Sequence, residues 1–340
     1  MAEAAARDDA ELAGLLADAF RSQAAYGQWA VATVAIGSGR RAAWCHGATP
    51  QSAFELASVT KTFTALLLAT LAVQQCVTLD DPLARYLPAA AGAPTRLVDL
   101  ATHSAGYPRL PRAIVRHMLS RDPYARLTDR QIDREVQRLS RRLRAASYPV
   151  SYSNLGFGVL SRALAAAGGR PFGQLLTAEV LQPLGLDMTL DIDPGQDRLP
   201  GHSNSGRRTP PWHNPTLPGA GCLWASIDQL GDYLAAHLHP EQTLLQQAIE
   251  LALQPRQPTR SPPGQVCLGW MRRETGHSRV HWHNGSTYGF GSFVALDRQH
   301  DAAVGALINH ERPSGLDPAA MSVLDHMANL PAGPCRRQHG

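Results

Sequence analysis

Apolar positions recur at helical spacing near the start of the chain, at Leu12, Leu15, Leu16 and Phe20, and predict a helix over Ala10–Phe20. The pattern then shortens. Trp29–Ile36 and Arg41–His46 read as two strands, with Gly37-Ser38-Gly39 as the turn between them. Phe54–Ala57 is a brief apolar stretch ahead of a strong helical run, Lys61–Ala69. From Leu79 to Pro218 the pattern is helical and punctuated by Pro82, Pro88, Pro94, Pro108 and Pro111, with later helices at Asn154–Ala167 and Phe172–Leu181. A helix over Ser226–His237 precedes strands near Leu268–Arg273, Arg279–His283, Gly291–Leu296 and Ala303–Ile308, and then a helix over Pro318–Asn329. Strands at both ends around a helical middle predict an α/β fold. Residues 1–78 and 219–340 would build one antiparallel sheet flanked by helices, and residues 79–218 an inserted all-helical domain. An active site would lie in the groove between them.

Composition narrows the function. With 340 residues, 44% hydrophobic and 18% charged, the chain has the make-up of an ordinary globular protein, large enough for two packed lobes. A formal charge of +4 is too small to imply nucleic acid by itself. The acidic, amphipathic start shows no secretory signal, and the apolar run from Ala65 to Val73 is too short to span a bilayer. Cys45, Cys76, Cys222, Cys267 and Cys335 are widely spread and odd in number, which suits free thiols in a reducing compartment. The expectation is a cytoplasmic protein without a membrane partner.

Of the 32 basic residues, Lys61 is the only lysine. Where any positive charge would serve, this chain uses arginine, so Lys61 marks a place where arginine fails. Guanidinium stays protonated, whereas an amine loses its proton when buried or crowded. Lys61 follows Ser58 by three residues, and positions i and i+3 share a helix face. That is a nucleophilic serine with an amine beside it to take its proton. Ser58 also falls at or near a helix N-terminus, where free N–H groups favour a developing negative charge.

Two further stretches carry polar chemistry. Tyr152-Ser153-Asn154 lies in a turn before a helix. The Tyr152 phenol can act as a base if the Lys61 charge stabilises its phenolate, and the Asn154 amide offers both a donor and an acceptor to a substrate. His283-Asn284-Gly285-Ser286 ends a strand. There Gly285 lets a substrate lie close to the backbone, and the Ser286 N–H could join that of Ser58 in an oxyanion hole. His281 and His283 alternate onto one strand face, but no Cys, Asp or Glu cluster accompanies them, so no metal is expected.

In this order the three elements resemble the serine β-lactamase and penicillin-binding-protein superfamily, in particular its class C-like branch of esterases, D-aminopeptidases, acyltransferases and β-lactamases. Phe54–Lys61, Leu100–Gly106, Gly219–Ser226 and His283–Phe290 are also similar to it, and the likeness runs from about residue 20 to 330. The resemblance implies a β-lactamase/transpeptidase-like fold with no cofactor. It implies Ser58 as the acylated nucleophile, Lys61 and Tyr152 as a coupled acid/base pair, and Asn154 as a substrate-orienting group. His283 would line the substrate strand, and the Ser58 and Ser286 N–H groups would form the oxyanion hole. His283 stands where β-lactamases and cell-wall peptidases usually have the lysine that helps hold a substrate carboxylate. A neutral histidine holds an anion less well, which favours esters, small amides or thioesters over antibiotics and cell-wall peptides. The expectation is therefore a serine hydrolase of esters or small amides. An acyltransferase or thioesterase comes second, a β-lactamase or D-Ala carboxypeptidase third, and a non-catalytic binding protein last.

One segment stands apart. Between Arg109 and Arg144 lie eleven arginines against four acids, Asp122, Asp129, Asp133 and Glu135. Ile132, Val136, Leu139 and Leu143 form one stripe, with Arg130, Arg134 and Arg138 on another face, as on a solvated amphipathic helix. The same face could dock an acyl-carrier protein or a coenzyme A thioester. Nucleic acid is not expected, since no binding motif or interleaved aromatics accompany the charge.

Overall fold

The first helical run is α1 (Ala10–Ala24), followed by the hairpin of β1 (Val31–Gly37) and β2 (Arg40–His46). The computed structural model describes residues 9–24, 29–117, 122–145, 147–190, 198–260, 263–276, 278–311 and 315–329. Ser38 and Gly39 both take positive φ, 53° and 71°, as a two-residue hairpin turn requires. After β3 (Phe54–Glu55) comes α2 (Thr60–Val73), and then α3 (Leu97–Ala101), α4 (Asp129–Ser140), α5 (Asn154–Gly168) and α6 (Phe172–Leu176). The chain continues through the short strands β4 (Gly201–His202), β5 (Arg208–Thr209) and β6 (Trp224–Ala225) into α7 (Ile227–Leu238) and α8 (Gln246–Leu253). It finishes with β7 (Gln257–Arg260), β8 (Pro263–Val266), β9 (Met271–Thr275), β10 (Ser278–Ser286), β11 (Gly291–Asp297), β12 (Ala302–Ile308) and α9 (Leu316–Ala328).

Eight strands form one antiparallel sheet in the order β2-β1-β12-β11-β10-β9-β8-β7. β1 pairs with β12, so strands from early and late in the chain meet inside the sheet, next to its β2 edge. Side-chain alternation explains why the central strands read as near-continuous apolar runs. Val31, Ala35, Phe293, Ala295, Val304 and Ala306 pack beneath Leu12, Leu16 and Phe20 of α1 and Leu316, Ala320, Val323 and Leu324 of α9. Their neighbours Ala32, Val34, Val294, Leu296 and Leu307 face the other way, into a core shared with Phe63 of α2 and Leu230, Tyr233 and Leu234 of α7.

The hydrophobic pattern does not announce β7, β8 or α8. β7 is the sheet's outer strand, with Pro258 inside it and alternating exposure, and Pro263 opens β8. Proline is tolerated at those places because an edge or a strand start has no ladder bond to lose. The helix expected over Phe172–Leu181 ends as an α-helix at Leu176 and continues as a π-helical turn over 177–181. Every residue of α2 from Thr60 to Leu71 is buried, so this helix is wrapped on all sides, and that puts Lys61 in the interior. No helix among the described residues is long and apolar enough to cross a membrane. Cys45, Cys76, Cys222 and Cys267 are free thiols, and Cys335 lies outside the described residues.

Candidate active site

Ser58 sits in a single 3-10 turn, Ala57–Val59, between β3 and α2. Ala57 takes a φ of 47°, a left-handed conformation that costs a residue with a Cβ on the order of 1 kcal/mol. The bend is held from three sides: Leu56 N–H donates to Leu223 O at 2.8 Å, Ser292 Oγ to Leu56 O at 2.6 Å, and Leu223 N–H to Thr60 Oγ1 at 3.1 Å.

Lys61 follows on the first turn of α2 and is fully buried. Its Nζ lies 2.9 Å from Ser58 Oγ, donates to Ala220 O at 2.6 Å, and stands 5.0 Å from the centre of the Tyr152 ring. Burial holds the Lys61 pKa well below the ordinary lysine range, and the Arg109 charge pushes it the same way. Burial also pushes Tyr152 up to about 12, against its hydrogen bond with Ser58 and the nearby Arg109 charge. Both shifts favour the uncharged forms, a free amine and an intact phenol. An unprotonated Nζ this close to the hydroxyl is a base in place.

The turn that carries Tyr152 is clamped by the Leu100–Gly106 stretch and the residues after it. Ser153 N–H donates to His103 Nδ1 at 3.1 Å, Ser153 Oγ to Pro108 O at 2.7 Å, and Asn154 N–H to Arg109 O at 2.9 Å. Ser153 also caps α5 through Gly156 N–H. Asn154 Nδ2 donates to Tyr124 Oη at 3.2 Å, leaving Oδ1 buried and without a partner among the described residues, an acceptor ready for a substrate N–H.

The opposite wall is the end of β10. A Cβ built on Gly285 would lie 2.7 Å from Ser58 N and 2.6 Å from Leu56 O, so the strand passes the nucleophile at a distance only glycine permits. Thr287 N–H bonds back to Phe290 O in the hairpin. Since N–H groups alternate along a strand, that of Ser286 points away from β11. Together with the Ser58 N–H it can receive an oxyanion.

A groove of about 640 Å³ joins these walls and is lined by Ser58, Tyr152, Asn154, Gly285 and Ser286, with Lys61 beneath. His283 does not line it. The ring is 2% exposed and lies behind the wall, 6.2 Å from the Tyr152 ring, with Nδ1–H on its own Asn284 carbonyl at 2.7 Å. Burial above all pushes it down to about 3, so it is neutral. It shares the strand face of Gly285, two residues deeper, and alternation sends it under the nucleophile instead of into the groove. Among the described residues no group of His, Cys, Asp and Glu could hold a metal.

Sequence reasoning missed several residues here. Arg109, counted in the basic stretch, lines the groove with its guanidinium 5.1 Å over the Tyr152 ring. Tyr124 and Trp212 pack against each other in the helical wall, and His103 sits 4.5 Å from the Tyr152 ring. Proximity to Leu100–Gly106 was the one available signal for Arg109 and His103. Glu55 backs the wall: it is 3% exposed and accepts the Trp212 N–H at 2.8 Å. Burial raises Glu55 to about 7, aided by Asp122 and opposed by hydrogen bonds from Thr287 and Trp212. Because the folded value lies above the unfolded one, its stabilisation is complete below the unfolded value of 4.5 and is lost as pH rises through about 7. Glu55→Gln, neutral at every pH, should escape this loss. Between pH 5 and 8 its stability should gain about 2–3 kcal/mol on the wild type in urea titrations. A gap that stays constant with pH would show that the carboxyl is already charged at pH 5.

Comparisons with known proteins identify the family. A family model described as Beta-lactamase matches residues 16–327. The chain is similar to the D-alanyl-D-alanine-carboxypeptidase/endopeptidase AmpH of Escherichia coli K12, at 34% identity over 207 residues, covering 55% of this chain and 52% of that protein. It is also similar to a beta-lactamase-like protein of Arthroderma benhamiae, at 29% identity over 70% of this chain and 44% of the other. A third relative is a beta-lactamase of Lysobacter lactamgenus, at 30% identity over 50% of this chain and 41% of the other. The matches thus span about half the length of these curated relatives or less. With an antiparallel sheet, flanking helices and a family match over most of its length, the chain belongs to the beta-lactamase family.

Proposed function

We propose that this chain is a serine hydrolase that forms an acyl-enzyme on Ser58 and cleaves esters or small amides. One observation carries the reading: a fully buried Lys61 amine, its pKa lowered by burial, 2.9 Å from the Ser58 hydroxyl. Lys61 takes the Ser58 proton as Oγ attacks the substrate carbonyl, and the Ser58 and Ser286 N–H groups hold the oxyanion. The leaving group departs with the Tyr152 hydroxyl proton, and the Lys61 ammonium, which holds the proton taken from Ser58, reprotonates Tyr152. A water then loses a proton to the same pair as it attacks the acyl carbonyl and frees Ser58.

The neutral, buried His283 supports esters and small amides over β-lactams, since a cation that would hold a substrate carboxylate is missing from the groove end of that strand, residues 283–286. The named relatives keep a D-alanyl peptidase or β-lactamase activity as the competing reading. The free thiols among the described cysteines support a reducing compartment, taken here as the cytoplasm.

The exposed arginines of α4, Arg130 and Arg134, support a second reading, acyl transfer from an acyl-carrier protein or coenzyme A thioester. Arg138 is less available, because it pairs with Glu135 at 2.6 Å. Steady-state turnover of p-nitrophenyl esters of rising chain length, beside a chromogenic cephalosporin and with millimolar alcohol or amine acceptors, separates the three. Esters should turn over fastest, with free acid as the main product. Faster cephalosporin cleavage would overturn the ester reading, and transfer product in excess of acid would replace hydrolysis with acyl transfer.

A further inference from the structure

Arg109 has features that the hydrolytic reading leaves unused. It is the one basic side chain among the described residues that line the groove. It is solvent-exposed, and no ion pair holds it among the described residues. Its position is nonetheless fixed. The Arg109 carbonyl accepts both Asn154 N–H, at 2.9 Å, and Leu155 N–H, at 3.3 Å, and the guanidinium lies 5.1 Å over the Tyr152 ring. The loop before it turns through two positive-φ residues, His103 at 58° and Gly106 at 71°. At Gly106 a Cβ would meet the Tyr148 ring at 2.9 Å. An arginine tied to the catalytic turn by its main chain, stacked on the catalytic tyrosine and open to solvent is preorganised for an anion.

Among the described residues, the other charged side chains that line the groove are acidic. Glu311 and Asp317 line it on the sheet side, and Asn284 Nδ2 donates to Asp317 Oδ2 at 2.6 Å. A substrate anion would be repelled there and would find no cation at the groove end of β10, residues 283–286, where His283 is buried and neutral.

We infer that Arg109 is a specificity-determining residue that binds a carboxylate of the substrate along the helical wall, so that the preferred esters are anionic and lie with their charge away from Glu311 and Asp317. This rests on the hydrolase reading and names its substrate class. Arg109 offers parallel N–H donors to such a carboxylate, a pairing that a lone neutral histidine cannot provide.

Two pairs of esters read the inference. Monophenyl succinate against phenyl butyrate places the charge on the acyl side, and 3-acetoxybenzoate against phenyl acetate places it on the leaving group. For one of the pairs, Arg109→Gln should lower the anionic-to-neutral ratio of kcat/KM about tenfold, mostly through KM, as expected for one charge-assisted contact at a partly solvated site. Arg109→Lys should recover part of the ratio. Ratios unchanged in both pairs would overturn the inference. So would a loss that lysine does not recover, since that would trace to packing on Tyr152. Calorimetry on Ser58→Ala, which binds without turnover, separates the two readings. If the wild type cleaves none of the four esters, the hydrolase reading fails. The anion site then stands or falls on whether Arg109→Gln weakens binding of the two carboxylate esters and not of the neutral ones.

Discussion

Lys61→Arg should lower kcat/KM for esters by about a thousandfold or more, the scale of losing a positioned general base together with its contact to the nucleophile. The change keeps a basic side chain and removes the proton acceptor. Lys61 is fully buried, and its Nζ spans Ser58 Oγ and Ala220 O at 2.9 and 2.6 Å. A guanidinium remains protonated there and is too broad for the site. In the proposed mechanism the free amine is the working form, so wild-type kcat/KM should fall as pH drops through the lowered Lys61 value and the amine takes up a proton. Lys61→Met, which keeps an unbranched stem, serves as the fold control by circular dichroism. An arginine variant with a tenth or more of the wild-type rate would mean that Lys61 supplies charge and not a proton acceptor.

Gly285→Ala should cost at least about a hundredfold in kcat, the scale of losing one oxyanion donor. The added methyl would sit 2.7 Å from Ser58 N, 2.6 Å from Leu56 O and 2.5 Å from Ser292 Oγ. Two of those three are backbone atoms that cannot rotate aside. The end of β10 must therefore move away from Ser58, which separates the two N–H groups proposed to receive the oxyanion. Overpacking of this kind also destabilises the fold by about 1–3 kcal/mol. Stopped-flow acylation and thermal melting, measured together, separate the two effects. Unchanged acylation at a lowered melting temperature would show that the oxyanion is held elsewhere.

Much of this site could be read in the sequence because its chemistry is local. Ser58 and Lys61 meet across one helical turn, and Tyr152 and Asn154 share one turn ahead of α5. Central strands such as β11 and β12 are buried on both faces, so their apolar runs stand out. The sequence is less informative where placement depends on distant segments. Period-two alternation put His281 and His283 on a common face without saying which one, and packing buries both, at 9% and 2% exposure. Arg109 looked like one more arginine of a solvated stretch until the positive-φ turns at His103 and Gly106 folded it onto Tyr152. Glu55 lay inside a stretch quoted for its resemblance, yet its burial depends on Trp212, 157 positions away in the chain.

The central claim is that Ser58 carries the acyl group. Intact-protein mass spectrometry of the wild type and Ser58→Ala, after incubation with a fluorophosphonate and with p-nitrophenyl esters, tests it most directly. The expected result is a single adduct on the wild type, mapped to the peptide containing Ser58, and none on the alanine variant. An adduct that persists on Ser58→Ala, or a wild type that no probe labels while esters are still turned over, would contradict it.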